Sequence, residues 1–273
     1  MLSMSRIISH RFRGFAEEEN TIAGLKSAMT RGVEFLEFDI RVARCGTPLI
    51  YHDEYALDGE GNSRKICNVM AKDLKVIGGR FTTMPKAEDL FLAAGQHNNK
   101  TSHLLVDIKD AGFESEIHAL VMLAGLGKRV TYVSWVPEAL YQIHDIAPDI
   151  PICLSHWCQS PNKATRNIHT VHEAKDGNIL RSTPAIIHGE RSGYFVNERL
   201  RGELFDIIKA TKGSVCVPQN MVTAELVAAY QAEGIEVSAF SYVNWPSILT
   251  ADENMQINQY FIDDKSVFDQ MLK

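Results

Sequence analysis

Along the chain, short aliphatic or β-branched runs alternate with longer stretches whose apolar residues recur at helical spacing, the pattern of βα units feeding a parallel sheet. Arg6-Ile7-Ile8-Ser9-His10 reads as a buried strand. After a polar loop, Asn20 or Thr21 can cap a helix that puts Ile22, Leu25, Met29 and Val33 on one face. Phe35 to Ile40 reads as a second strand and Leu104 to Ile108 as a third, preceded by a helix beginning near Pro85, a residue suited to a first helical turn. Val130 to Ser134, Ile152 to Leu154, Val215 to Val217, Val237 to Tyr242 and Tyr260 to Ile262 bring the count to eight, with helices over Pro137 to Ile146 and Thr223 to Glu233 between them. Eight such strands in 273 residues predict a (β/α)8 TIM barrel with functional residues at the C-terminal strand ends. A doubly wound open sheet is the alternative.

Two stretches are too long for plain βα loops. One runs from Asp53 to about Met84 and is polar and Gly-rich; the other lies between Ser155 and Gly213, with a helix near Glu198 to Thr211 and a possible extra strand at Ala185-Ile186-Ile187. Both are expected to leave from the functional face. No low-complexity linker, charge block or repeat separates them, so residues 1–273 read as one barrel domain.

At 45% hydrophobic the chain can bury a substantial core, and its 34 acidic against 28 basic side chains leave a net charge of -6. That balance argues against nucleic-acid binding, which needs a basic surface, and means that an anionic substrate must be met by local cations. Five cysteines, odd in number and sparsely spread, read as reduced thiols. No apolar leader run and no stretch long enough to cross a membrane stands out, which predicts a cytoplasmic protein without a stable membrane anchor.

Glu37 and Asp39 stand two apart on a strand and so share a face among apolar neighbours, and Asp107 with Lys109 repeats the arrangement on the third strand. Buried carboxylates are costly unless paired or metal-bound. Three of them without Cys or His make an all-oxygen site for one divalent cation, Mg2+ or Ca2+, although the same spacing also suits structural salt bridges. His10, with Arg11 beside it, closes the first strand, and His52-Asp53 follows the apolar run Pro48 to Tyr51. Two imidazoles on opposite sides of a substrate can act as general base and general acid; either alone also suits a hydrogen-bonded structural role. Gly125-Leu126-Gly127-Lys128 reads as a plain turn rather than a phosphate loop, and Cys153, His156 and Cys158 lack a second ligand pair for a metal. Trp135, Trp157, Tyr242 and Trp245 fall at or beyond strand ends, where they pack the core or form an apolar wall for a leaving group.

The run His10-Arg11, Glu19-Asn20-Thr21, Glu37-Phe38-Asp39 and His52-Asp53 resembles the glycerophosphodiester phosphodiesterase family, with its His-Arg-Gly, Pro-Glu-Asn-Thr, Glu-x-Asp and His-Asp motifs at closely similar spacing. The likeness extends through the Gly-rich excursion, which looks like that family's small inserted subdomain (residues 53–84), to Met84-Pro85, Asp107-Ile108-Lys109 and Val217-Pro218. The resemblance implies a barrel that hydrolyses a small glycerophosphodiester or related sugar phosphodiester, with His10 and His52 as the acid-base pair and Glu37, Asp39 and Asp107 holding the divalent ion. It further implies Arg11 and Lys109 as phosphate-neutralising groups and Glu19 near the metal and the glycerol hydroxyls. A lyase-type relative would instead release a cyclic phosphate, and a non-catalytic barrel would only bind. Phe12 stands where the family has glycine, which predicts a loop that bends differently because a bulky residue takes positive φ only at a cost. Glu18 replaces the usual Pro, and Asp107 is one methylene shorter than the usual Glu. The long excursion is expected to form a lid bringing Arg166, His169, His172, Arg191 or Tyr194 towards the substrate.

Overall fold

Eight parallel strands, each followed by a helix, close into a barrel in a computed structural model that describes residues 2–158, 170–181 and 192–271. The strands are β1 (Ile7–His10), β2 (Phe35–Val42), β3 (His103–Ile108), β4 (Val130–Ser134), β5 (Ile152–Ser155), β6 (Ser214–Pro218), β7 (Glu236–Tyr242) and β8 (Gln259–Ile262). The helices are α1 (Ile22–Thr30), α2 (Ala87–Gln96), α3 (Glu114–Leu123), α4 (Pro137–Ile146), α5 (Glu203–Ala210), α6 (Ala224–Gln231), α7 (Trp245–Met255) and α8 (Lys265–Met271). Each strand pairs with its neighbours in sequence, and β1 closes the ring by pairing with both β2 (Ile8 opposite Phe35) and β8 (Ile7 opposite Tyr260). The open-sheet alternative is thereby excluded.

Strand alternation explains what occupies the inside. Ile8, Leu105, Val133, Cys153, Cys216 and Phe261 form an apolar cluster that fills the floor of the barrel. Their sequence neighbours, such as Ile7, Leu104, Val106, Ile152 and Leu154, face outward into the main core beneath the helices. One pleat further along its own strand, each floor residue is followed by a residue at the mouth: Ile8 by His10, Leu105 by Asp107, Val133 by Trp135 and Phe261 by Asp263. The two-residue period thus raises chemistry from a hydrophobic base.

Thr21 and Thr223 cap α1 and α6, their hydroxyls accepting from the Gly24 and Leu226 amides. The other candidate for the first cap, Asn20, is engaged elsewhere, as shown below. Helix α5 begins at Glu203 rather than near Glu198, because Glu198 (φ 62°) and Gly202 (φ 79°) both take left-handed backbone that a helix cannot contain.

Beyond β2 a short antiparallel strand, Pro48–Ile50, returns along it with Ile50 opposite Ile40 and delivers His52 to the mouth. The segment that follows contains a hairpin, Tyr55–Leu57 with Ser63–Lys65, and the short helices Leu74–Ile77 and Arg80–Thr83. Ala56, Ile66, Val69, Leu74 and Phe81 gather there with Ala43, Leu49 and Met84 in a small core separate from that of the barrel. After β5, Trp157–Cys158, Ser192–Val196 and Thr170–Glu173 form a three-stranded parallel sheet, with Ser192–Val196 central. Arg166, His169, Arg191 and the strand suggested at 185–187 lie outside the described residues.

The loop after β1 corrects one expectation. Phe12 does take positive φ (58°), as do Arg11 (56°) and Asn20 (56°). The conformational cost is offset by burial: Phe12 is fully enclosed, its ring 5.7 Å from that of Phe38, and Gly24 makes room for it, since a Cβ there would come within 2.9 Å of the Phe12 Cβ. Replacing Phe12 by Ala should therefore lower unfolding free energy by about 3–5 kcal/mol in urea titrations, the range for losing a buried aromatic ring. A change below about 1 kcal/mol would show that the ring does not hold this turn.

Candidate active site

The strand ends surround a cavity of about 710 Å³ lined by, among others, His10, Arg11, Glu19, Glu37, His52, Asp107 and Lys109. Register brings the charged groups together. His10 lies opposite Glu37 across the β1–β2 pair, and Asp39 lies opposite Asp107 across β2–β3. Glu37, Asp39 and Asp107 are buried, and one oxygen from each lies within 4.8 Å of the other two.

Two cations stand against these three carboxylates. Lys109 Nζ is 2.9 Å from Asp39 Oδ1 and also bonds Asp107, while Arg11 Nε is 3.2 Å from Asp39 Oδ2. Asn20 is fully buried and donates its amide to Asp39 Oδ2 at 2.9 Å. Burial pushes the Asp39 carboxyl up, but Lys109 and Arg11 more than offset it and hold the group well below its usual range. Burial likewise pulls Lys109 down, and the surrounding carboxylates of Asp107, Asp39 and Glu37 prevail and raise it. Among the described residues Glu37 has no comparable cation. Burial and the charges of Asp39 and Asp107 push it well above the usual carboxylate range. Asp107 is raised too, chiefly by burial, and its Oδ1 is buried without a hydrogen-bond partner. An acidic excess, an unsatisfied carboxylate oxygen and an all-oxygen donor set fit a hard divalent cation.

The imidazoles are each oriented by a carboxylate. His10 Nδ1 donates to Asp263 Oδ1 at 2.6 Å, which leaves Nε2 facing Glu37 Oε2 at 3.7 Å. Asp263 also accepts from Ser241 Oγ (2.5 Å) and pairs with Arg13 (2.8 Å). These partners overcome the effect of burial and hold its carboxyl below the ordinary range. His52 Nδ1 donates to Asp53 Oδ1 at 2.6 Å, and the His52 carbonyl accepts from Arg41 Nε at 3.0 Å. Burial lowers both imidazoles, His52 to about 4. Glu19 bridges Arg11 (3.3 Å) and Arg13 (2.5 Å). Arg80, from the segment after β2, donates to the Glu19 carbonyl at 2.9 Å and stacks over Tyr51 at 5.2 Å.

All eight residues proposed from sequence therefore meet at one mouth. Asp263, Asn20, Arg13 and Arg41 were not anticipated. Asp263 immediately follows the apolar run of β8, so the same strand-end logic that singles out His10 would have found it; Asn20 lay hidden behind its suitability as a helix cap. Of the described lid candidates, neither His172 nor Tyr194 lines the cavity: His172 is exposed and Tyr194 is buried in the core. The reason is that both belong to the parallel sheet beside the barrel. Cys153, His156 and Cys158 form no metal cluster among the described residues; His156 Nδ1 donates to the Trp157 carbonyl, its Nε2 accepts from the Tyr230 hydroxyl at 2.9 Å, and Cys158 donates to the Met221 carbonyl.

A closed (β/α)8 barrel with ionisable groups on consecutive strand ends has the architecture of an enzyme. The chain belongs to the glycerophosphoryl diester phosphodiesterase family, whose model matches residues 6–263. A glycerophosphodiester phosphodiesterase of Caldanaerobacter subterraneus subsp. tengcongensis is 26% identical over 165 residues, covering 56% of this chain and 67% of that protein. Among solved structures, one from Silicibacter pomeroyi DSS-3 superposes with a TM-score of 0.72 at 19% identity, covering 100% of this chain and 94% of the other. An Oleispira antarctica phosphodiesterase in complex with the product sn-glycerol-3-phosphate superposes at 0.65 with 17% identity, covering 98% of this chain and 96% of the other.

With EDTA present, the His52 imidazole should titrate near pH 4 in NMR. Because it binds fewer protons folded than unfolded between about 4 and the ordinary 6.5, its contribution to stability is present above that window and is lost as pH falls through it. A midpoint at or above 6.5 would contradict this environment.

Proposed function

We propose that the protein hydrolyses a glycerophosphodiester-type substrate to an alcohol and a phosphomonoester, with His52 as general base and His10 as general acid. The observation that carries this reading is the pair of carboxylate-oriented imidazoles lining the cavity that Lys109, Arg11, Glu37 and Asp107 also line. Asp53 holds His52 Nδ1, so the neutral ring presents Nε2 as the acceptor for the proton of an attacking water. Asp263 holds His10 Nδ1 and opposes the lowering effect of burial, so the ring can carry a second proton on Nε2, which faces the cavity, and this imidazolium form protonates the leaving alkoxide. Arg11 and Lys109 supply positive charge for the phosphoryl oxygens, at a place enclosed enough for that charge to act strongly. Glu19, between two arginines, is placed to orient substrate hydroxyls. Glu37, Asp39 and Asp107 would hold one divalent cation, Mg2+ or Ca2+, which when bound adds a Lewis acid beside the phosphoryl group.

His10→Ala and His52→Ala should each lower kcat on glycerophosphocholine by about 10²–10⁴-fold. On bis(p-nitrophenyl) phosphate, whose leaving group needs no proton, His10→Ala should lose far less than His52→Ala. Equal losses on both substrates would reverse or remove the acid assignment. EDTA should abolish turnover, with recovery on adding Mg2+ or Ca2+; full activity in EDTA would eliminate the cation. Phosphorus NMR should show phosphomonoester as the first product, whereas cyclic phosphate alone would make the reaction a lyase-type transfer. Asp263→Asn should reduce kcat by about 10–100-fold with little change in KM, the scale for losing a group that orients a functional histidine.

A further inference from the structure

The mouth of the barrel has two unlike halves. The ionisable groups described above stand mainly on β1, β2 and β3. Across the cavity, the strands β4 to β7 and the strand that follows β5 bring Trp135, Phe240 and Trp157 to the lining, together with the uncharged polar side chains of Gln219, Asn220 and Ser241. The aromatic rings form an unbroken series that begins at His10 itself. Phe261 meets His10 edge-on at 5.6 Å, Phe240 meets Phe261 at 6.3 Å, Trp135 meets Phe240 at 5.6 Å, and Trp157 lies against Trp135 at 4.6 Å. The two indoles are also braced from behind. A Cβ at Gly193 would lie 2.7 Å from Trp157 Nε1 and 2.9 Å from a ring carbon of Trp135, so only glycine lets the central strand Ser192–Val196 pack this closely.

We propose that Phe240, Trp135 and Trp157 form a subsite for a hydrocarbon group on the ester oxygen beside His10, so that the preferred substrates are phosphodiesters bearing an alkyl chain there. This rests on the phosphodiesterase reading above and deepens it. The chemistry of the wall selects the ligand. Three large apolar side chains reward removal of hydrocarbon from water, at about 0.8 kcal/mol per buried methylene. A quaternary ammonium would need open ring faces converging on it. Here the indoles stack against each other at an interplanar angle of 39°, and Phe240 packs at right angles to Trp135, so the three rings present an apolar patch in place of a cage. Because the series starts at His10, the polar glycerol phosphate portion falls to the charged half and the hydrocarbon to the other.

The test is a water-soluble series of glycerol phosphate esters with methyl, butyl, hexyl and octyl groups, together with the choline ester and its neutral isostere, the 3,3-dimethylbutyl ester. In the wild type kcat/KM should rise about two- to fourfold per methylene over the first members, the upper value corresponding to complete burial. The dimethylbutyl ester should be used better than the choline ester. Trp135→Ala should flatten the slope against chain length, a ratio taken within one preparation and therefore insensitive to partial misfolding; if that variant does not fold, Phe240→Ser makes the same comparison. A flat or falling series in an enzyme that turns over the methyl ester overturns the subsite and leaves the phosphodiesterase reading standing. Preference for choline over its isostere overturns it in favour of an onium site. Absence of turnover with every ester, short or long, removes both.

Discussion

Three carboxylates confined in the barrel against, among the described residues, two neighbouring cations are the constraint around which the rest of the site is arranged. Buried negative charge must be answered, and here Asp39 receives most of the answer: Lys109, Arg11 and Asn20 all converge on it. Glu37 and one oxygen of Asp107 are left under-compensated. That imbalance would be a simple liability in a structural core. At the mouth of a barrel it is a reservoir of affinity for positive charge, and it explains why Lys109 and Arg11 are tied back to acidic partners.

The same economy governs the histidines. Each imidazole spends Nδ1 on a carboxylate and keeps Nε2 available, so ring orientation is settled before any ligand arrives. Asp263 is itself held by Ser241 and Arg13, and Arg13 returns to Glu19, which returns to Arg11. The loop after β1 and the end of β8 are thus parts of one polar network, although the residues stand at opposite ends of the chain.

Much of this was legible in the sequence because the barrel obeys a two-residue period. Apolar runs marked the strands, and an ionisable residue in or just past such a run marked the mouth, which is how His10, Glu37, Asp39 and Asp107 could be chosen without coordinates. The less legible residues fail that test in specific ways. Asn20 and Arg13 sit in an irregular loop where no period applies, and their roles depend on partners far away in sequence. Phe12 misled because intrinsic backbone preference points one way and burial the other; tertiary packing prevails there, and no local rule weighs the two. The excursion after β5 is legible only in part: Tyr194 is buried in the sheet beside the barrel and Gly193 packs against Trp135 and Trp157, while Arg166, His169 and Arg191 lie outside the described residues.

Arg80 has a wider implication. By gripping the Glu19 carbonyl and lying over Tyr51, it fastens the segment after β2 to the loops that carry both the first arginine and the second histidine. That segment is therefore a keystone rather than an ornament: grafting in a counterpart from a distant relative would exchange surface decoration and at the same time loosen the two walls that carry Arg11 and His52.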